Sequence, residues 1–475
     1  MSEHGAIPDG PSIYDDDESA PVPIKVAAVA ALGGLLFGYD SAVINGAVAA
    51  IERQFHVDSA SLGFAVASAL LGAAAGAMTA GNIADRMGRL ATMKVAAVLF
   101  LVSALVTGLA PSLWIVVLGR IIGGLGVGLA SVIAPAYIAE ISPAHVRGRL
   151  GSLQQLAIVL GIFFSFLVNY AMQRMAGSAS NTLWLGLPAW RWMFLAMAVP
   201  ALVYGILSLT IPESPRYLIA KGEDSQARKV LHGLLGSRGL DEKIRQIRIT
   251  LNKETKPSWA DLRGPAMGLL PIVWVGIFLS VFQQFVGINV IFYYSNILWE
   301  AVGFDESHSF TISLISSIIN VLTTLIAIAT VDKVGRKPLL LVGSIGMTVT
   351  LGIMAFVFST AKVVNGAPVL EGWQGPVALV AANLFVVSFG MSWGPIVWVL
   401  LGETFPNRIR AAALSLAAAA QWAANWLITV SFPGLKDISL GLAYGFYAFC
   451  ALASFVFVLK WVRETKGMEL EEMHS

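Results

Sequence analysis

The chain has 475 residues, 56% hydrophobic and only 13% charged, with a mean hydropathy of +0.74 and a net charge of +2. A soluble domain carries about twice that charge fraction, and basic residues confined to short clusters offer no continuous face to nucleic acid. The single cysteine, Cys450, excludes a disulfide framework or thiolate metal site, and six scattered histidines without ligand spacing leave no metal or cofactor to expect.

Residues 1–22 are polar and acidic, with Asp15-Asp16-Asp17-Glu18 among them, and carry neither the basic n-region nor the cleavage site of a signal peptide. They are expected to be a disordered tail that stays on the chain. Twelve apolar runs follow, each near the roughly twenty residues a membrane helix needs: 25–50, 61–84, 91–110, 113–138, 150–172, 192–212, 268–297, 309–331, 338–360, 375–401, 410–432 and 440–462. The first contains Asp40, and the fourth contains Arg120 within Leu118-Gly119-Arg120-Ile121-Ile122-Gly123-Gly124. An ionisable group at that depth is a functional candidate, and a carboxylate and a guanidinium in separate spans suggest a proton site coupled to transport. The glycine run from Gly123 to Gly128 superficially resembles a dinucleotide loop. It lies mid-run with no preceding strand, so Gly72/Gly76 and Gly124/Gly128 read instead as small-residue pairs for close helix packing.

Alternate loops differ in charge. Arg86, Arg89 and Lys94 follow the second run, Arg147 and Arg149 the fourth, Lys333, Arg336 and Lys337 the eighth, and Arg408 and Arg410 the tenth. These loops are expected to be cytoplasmic, and an even number of spans puts both termini there. Between the sixth and seventh runs the chain turns charged, with Ala227, Val230, Leu231 and Leu234, then Ile244, Ile247 and Leu251, at helical spacing. The expected organisation is a tail (1–22), an N-terminal six-helix half (23–214), a cytoplasmic helical linker (215–265), a C-terminal six-helix half (266–464) and a tail (465–475).

The two halves echo one another. Asp85-Arg86-Met87-Gly88-Arg89 recurs as Asp332-Lys333-Val334-Gly335-Arg336, Glu140 to Arg147 as Glu403 to Arg410, and Glu213 as Glu464, at offsets of 247, 263 and 251. Three echoes at similar offset indicate a duplicated six-span unit. The fold class is therefore an all-α membrane protein with twelve transmembrane helices in two pseudo-symmetric halves.

With these motifs, the chain resembles the sugar porter family of the major facilitator superfamily, in particular its bacterial proton-coupled glucose and xylose permeases. The likeness runs from about Ala28 to Gly467 and rests further on Gly38-Tyr39-Asp40, Pro212 to Arg216, Phe282 to Asn289, Trp393-Gly394-Pro395 and Glu464 to Gly467. Leu90, Ala411 and Arg463 depart from the family pattern. The resemblance implies a sugar importer working by alternating access, with Gln155, Gln283, Gln284, Asn289, Asn320, Trp393, Gln421 and Trp422 lining a central site and Tyr293 as a gate. Carboxamides suit a neutral polyol because they donate and accept at no cost in buried charge, and indoles suit the C–H face of a sugar ring. The alternative for the amides is hydrogen bonding between helices, and for Tyr293 ordinary packing. Asp40 and Arg120 match the proton-coupling positions; a static ion pair is the alternative. Arg89, Glu140, Arg147, Glu213, Arg336, Glu403, Arg410 and Glu464 resemble the inter-span salt-bridge network that locks the outward-open state, unless some are merely solvated loop charges. Expected partners are a monosaccharide, the proton and the lipid bilayer of the cell membrane, with a monomer as the working unit. A facilitative uniporter is the near rival and would have no need of Asp40. A non-transporting sugar receptor fits less well, and no nucleophile, acid and base constellation suggests an enzyme.

Overall fold

The computed structural model describes residues 23–141, 147–253, 259–406 and 409–465; the two terminal tails expected from sequence lie outside these except for Thr465. Each expected span is a helix long and apolar enough to cross a membrane. Span 1 comprises α1 (Ile24–Ala42) and α2 (Ile44–Phe55), followed by α3 (Ser59–Met87), α4 (Arg89–Gly108), α5 (Leu113–Ile141) and α6 (Arg147–Ala176) as spans 2 to 5. Span 6 is α7 (Ala189–Leu195) with α8 (Ala198–Leu207), and the connector carries α9 (Pro215–Ala220), α10 (Asp224–Leu235) and α11 (Leu240–Lys253). Span 7 is α12 (Pro271–Phe285) with α13 (Ile288–Ala301), span 8 is α14 (Glu306–Val334) and span 9 is α15 (Arg336–Thr360). Span 10 is α16 (Gln374–Gly390) with α17 (Trp393–Thr404), and α18 (Arg410–Ile438) and α19 (Leu440–Trp461) complete the set.

Hydropathy does not announce the breaks inside spans 1, 6, 7 and 10. In span 7 the chain passes through Gly287 at φ +82°, a left-handed conformation that only glycine adopts cheaply. In span 10 Ser392 leaves helical geometry just before Gly394-Pro395, and Pro395 has no N–H for the carbonyl four residues back. Two β-hairpins were also not foreseen: β1 (Thr182–Trp184) with β2 (Leu187–Pro188), and β3 (Lys362–Val364) with β4 (Ala367–Val369). Strands of two or three residues leave no periodic trace. The positive φ at Leu185-Gly186 and Asn365-Gly366 is what a two-residue hairpin turn requires.

In the connector Ser214 caps α9 by accepting from Tyr217 N–H, with Pro215 in the first turn. Leu218, Ile219, Ala227, Leu231, Leu240 and Ile244 form a small core of their own, with Val230, Ile247 and Leu251 packed on it, whereas Leu234 joins the main core. Ion pairs Arg228–Asp241 and Arg248–Asp224 tie α10 to α11. A hydrogen bond from Arg245 holds the half-buried Glu242 carboxyl below its usual range.

Small residues set the helix crossings. A Cβ at Gly72 or Gly76 would stand 2.2 or 2.4 Å from the carbonyl oxygens of Ile121 and Leu125, and one at Gly124 or Gly128 would stand 2.1 or 2.3 Å from those of Ala69 and Ala73. The two small-residue pairs therefore face each other across α3 and α5, with backbones in contact. A crossing between the halves is equally tight: a Cβ at Gly63 of α3 would lie 2.3 Å from the Val430 carbonyl oxygen of α18. This crossing is on the face opposite the basic loops, called here the outer face. A bulky side chain at Gly63 forces the halves apart there. Gly63→Leu is expected to convert most of the population to an outer-open form, read as slowed labelling of a cysteine placed at the basic-face mouth of the cavity and faster labelling at the outer face.

Candidate functional site

A cavity of about 560 Å³ lies between the halves. Its wall runs from Asn425, Tyr293 and Arg120 near mid-membrane to Ala77, Pro135 and Trp398 toward the basic loops, so its depth is on the basic side. On the outer face the halves are joined: Asn45 Nδ2 donates to Ser295 Oγ at 2.8 Å, Asn296 N–H donates to Asn45 Oδ1 at 3.0 Å, and Ser59 donates to Asp437.

Gln155, Gln283, Gln284, Asn289, Tyr293, Asn320, Gln421 and Trp422 all line the cavity. The break in span 10 organises them. Gln283 Nε2 donates to the main-chain oxygens of Trp393 (3.0 Å) and Gly394 (2.9 Å), which pins its Oε1 to accept from Gln421 Nε2. Asn289 Nδ2 donates to Gln284 Oε1 at 2.5 Å and to Asn425 Oδ1 at 2.8 Å, so residues on either side of the Gly287 break act as one cluster. The side chains of Gln154, Gln155 and Asn320, by contrast, make no hydrogen bond among the described residues, and Gln154 is buried with both amide atoms unsatisfied. A buried amide with neither atom paired, as at Gln154, costs about 1–3 kcal/mol, a cost that hydroxyls of a bound polyol would remove, whereas Gln155 is exposed to the cavity. Gln283 and Gln421 are spent on holding the frame; Gln154, Gln155, Asn320 and the open edges of Gln284 and Asn289 remain for a ligand.

Trp393 does not belong to this wall. It is fully buried, with its indole N–H donating to Ser344 Oγ (2.8 Å) and the Leu340 oxygen (3.2 Å), and only its carbonyl serves the site, through Gln283. The tryptophan that faces the cavity from α17 is Trp398. The helix restarts at Trp393, so residue 393 points into the bundle and the residue five positions on turns toward the cavity. Sequence reading also missed Gln154, beside Gln155, and Asn425, which follows Gln421 at the four-residue spacing that keeps both on one helix face.

Asp40 and Arg120 meet, but not as an ion pair of side chains. Asp40 is 2% exposed, and its Oδ2 has no hydrogen-bond partner. Arg120 donates from Nη1 to the main-chain oxygen of Asp40 at 2.6 Å and more weakly from Nη2 to that of Val66 at 3.5 Å. The expected carboxylate–guanidinium bond is thus replaced by one to the backbone. The last turn of α1 leaves carbonyls without helical donors, and Arg120 takes one of them. The Asp40 carboxyl lies instead against Gly123, where a Cβ would stand 2.7 Å from Oδ1.

The acid and base repeats form two matching clusters at the basic face. Arg89 is bidentate to Glu140 (Nε 3.0 Å, Nη2 2.8 Å), and Ser214 donates to Glu140. Glu213 accepts from the N–H of Arg89 at 3.1 Å, at the start of α4. In the other half Arg336 is bidentate to Glu403 (3.1 and 2.8 Å), Thr465 donates to Glu403 at 2.5 Å, and Glu464 accepts from the N–H of Arg336 at 3.1 Å. Glu213 and Glu464 thus cap helices α4 and α15, where carboxylates are favoured by the helix dipole. These bonds connect spans within a half, not across the halves as an inter-half lock would. The side chains of Arg147 and Arg410 lie outside the described residues.

Comparison with known proteins agrees with this architecture. The family profile described as "Sugar (and other) transporter" matches residues 26–475. The chain is 57% identical over 452 residues to the glucose transport protein of Synechocystis, covering 95% of this chain and 96% of that one. It is 39% identical over 487 aligned positions to the D-xylose-proton symporter of Escherichia coli K12, covering 95% of each. The structure is similar to the inward-open conformation of the xylose transporter XylE from E. coli, with a TM-score of 0.81 at 38% identity over 94% of this chain and 98% of that one. Twelve spans in two repeated halves, a carboxamide-walled cavity between them and these relationships lead to one conclusion: the chain belongs to the sugar transporter family of the major facilitator superfamily, and is a multi-pass membrane transporter rather than an enzyme.

Proposed function

We propose that the chain is a proton-coupled importer of a monosaccharide, with glucose as the preferred sugar, working as a monomer by alternating access in the cell membrane with both termini cytoplasmic. The observation that carries this reading is the cavity between the halves, walled by carboxamides and bordered by Arg120, with the buried carboxyl of Asp40 beside it. Neutral donors and acceptors fit sugar hydroxyls, and Gln154, Gln155, Gln284, Asn289 and Asn320 supply them. Trp398 and Trp422 supply flat apolar faces for the ring. A carboxylate shut away from water is costly unless it is paired or neutralised, and Asp40 lacks a side-chain partner. It therefore carries the coupled proton while it is buried and gives it up in a conformer that opens it to water. The relatives named for glucose transport and for xylose–proton symport support the substrate class and the coupling. With the basic loops on the cytoplasmic side, the cavity of this conformer faces inward. Arg89–Glu140 and Arg336–Glu403 keep each half rigid while the halves rock.

The test is counterflow in proteoliposomes against a panel of labelled hexoses and pentoses, combined with external pH recording. Sugar-specific exchange with sugar-induced alkalinisation is expected, strongest for glucose. Exchange without proton movement would make the protein a uniporter.

A further inference from the structure

We propose that Glu306 is the latch of the outer gate, a residue that sets the balance between the outward- and inward-facing states without touching sugar or proton. The inference rests on the alternating-access reading above. Glu306 lies in the first turn of α14, directly after the Asp305 cap. Its carboxylate accepts three hydrogen bonds: from the N–H of Ala179 at 2.6 Å, from Ser178 Oγ at 3.1 Å and from Arg53 Nη2 at 3.4 Å. Every one of these donors belongs to the other half of the molecule. Separation of the halves at the outer face must break all three together.

The donors are held as one body. Arg53, in the last turn of α2, also reaches Ser180 Oγ at 3.4 Å, which ties that helix to the turn between α6 and β1. The turn is bonded internally: Asn181 Nδ2 donates to the Ala176 oxygen at 3.0 Å, and the N–H groups of Ala189 and Trp190 donate to the oxygens of Asn181 (2.9 Å) and Ala179 (3.0 Å). Its carbonyls are thereby engaged, and the Ala179 N–H is left pointing at Glu306. The contributions differ in kind. The Glu306 side chain is 18% exposed and that of Arg53 is 55% exposed, so water and salt screen the arginine. The short bond from the Ala179 amide to a carboxylate is charge-assisted and shielded, and it carries most of the hold. Helix α14 also bears the cavity residue Asn320. A latch at its outer end therefore acts on the same rigid element that presents an amide to the ligand.

Removing the carboxylate deletes three bonds from the closed outer face and none from the open one, so the equilibrium moves outward. The test uses full-length protein in lipid nanodiscs, free of sugar and of any gradient. Spin labels are attached to Leu185→Cys and Val363→Cys, exposed residues on the outer hairpins of the two halves, with Cys450→Ser as background. In Glu306→Ala the long-distance fraction is expected to rise about tenfold over the short one, and in Arg53→Ala by a smaller factor. Transport then becomes asymmetric: the external sugar concentration for half-maximal entry falls, and the internal one for exit rises. A residue that merely capped α14 would lower the melting temperature without that split. An unchanged distance distribution in folded Glu306→Ala overturns the proposal. Should that variant fail to fold, Glu306→Gln keeps the size of the side chain but removes the charge that all three bonds share, and unchanged distances there overturn it equally. A wild-type protein that moves no sugar would defeat the transport reading through a different measurement.

Discussion

Asp40→Asn is expected to abolish uphill accumulation of sugar while leaving equilibrium exchange intact. Asparagine reproduces the neutral carboxyl in size but has no proton to release, so a state reached only after deprotonation is no longer tied to the gradient. With one proton per sugar, a one-unit pH gradient supports about tenfold accumulation, because one pH unit is worth about 1.4 kcal/mol. The wild type should approach that ratio at zero membrane potential, whereas the variant should stop at equal concentrations and show no sugar-induced alkalinisation. The geometry also bears on stability. Arg120 holds the backbone oxygen of Asp40 at 2.6 Å rather than its carboxylate, so this bond survives the substitution and the variant should fold close to normally. Arg120→Leu, which strands that oxygen, is the more damaging change. Uptake and pH recording on one batch of proteoliposomes decide the matter. Accumulation that survives in Asp40→Asn would move the proton site elsewhere.

The second large effect is expected at the span 7 amides. Gln284→Ala removes both a ligand contact and the acceptor at 2.5 Å that orients Asn289, and Asn289→Ala removes the link to Asn425. Each leaves a sugar hydroxyl without a partner in a dry wall, at roughly 1–3 kcal/mol, or about 5- to 150-fold in Kd. Trp393→Phe is the contrasting control. It deletes the indole bond to Ser344 behind the site, so it should lower the melting temperature and barely change Kd, whereas Trp398→Ala should weaken binding. Calorimetric titration with sugar and thermal melts separate the two outcomes. Unchanged affinity in both Gln284→Ala and Asn289→Ala would remove this cluster from the sugar site.

The twelve spans, their division into two halves and the amphipathic linker were all legible in the amino-acid sequence, because hydropathy and helical spacing are local properties that the bilayer reads directly. The duplication was legible too, since its echoes at Arg89 and Arg336, and at Glu140 and Glu403, lie in the linear text. So was the chemistry of the cavity, because amides and a carboxyl are conspicuous in apolar runs. Facing was a different matter. Whether Trp393 or Trp398 turns toward the cavity depends on where span 10 breaks, and that is set by Gln283 reaching across to carbonyls of another helix. Whether Arg120 meets the carboxylate or the backbone of Asp40 depends on the space left by Gly123 in a neighbouring span. The bonds from Ser178, Ala179 and Arg53 to Glu306 join positions more than a hundred residues apart, and no local pattern encodes them. Patterning alone determined which segments enter the membrane and what chemistry they carry; the rotation of each helix and the partners of each polar group were decided only when the helices packed, because a hydrogen bond is satisfied by geometry in three dimensions and not by composition along the chain.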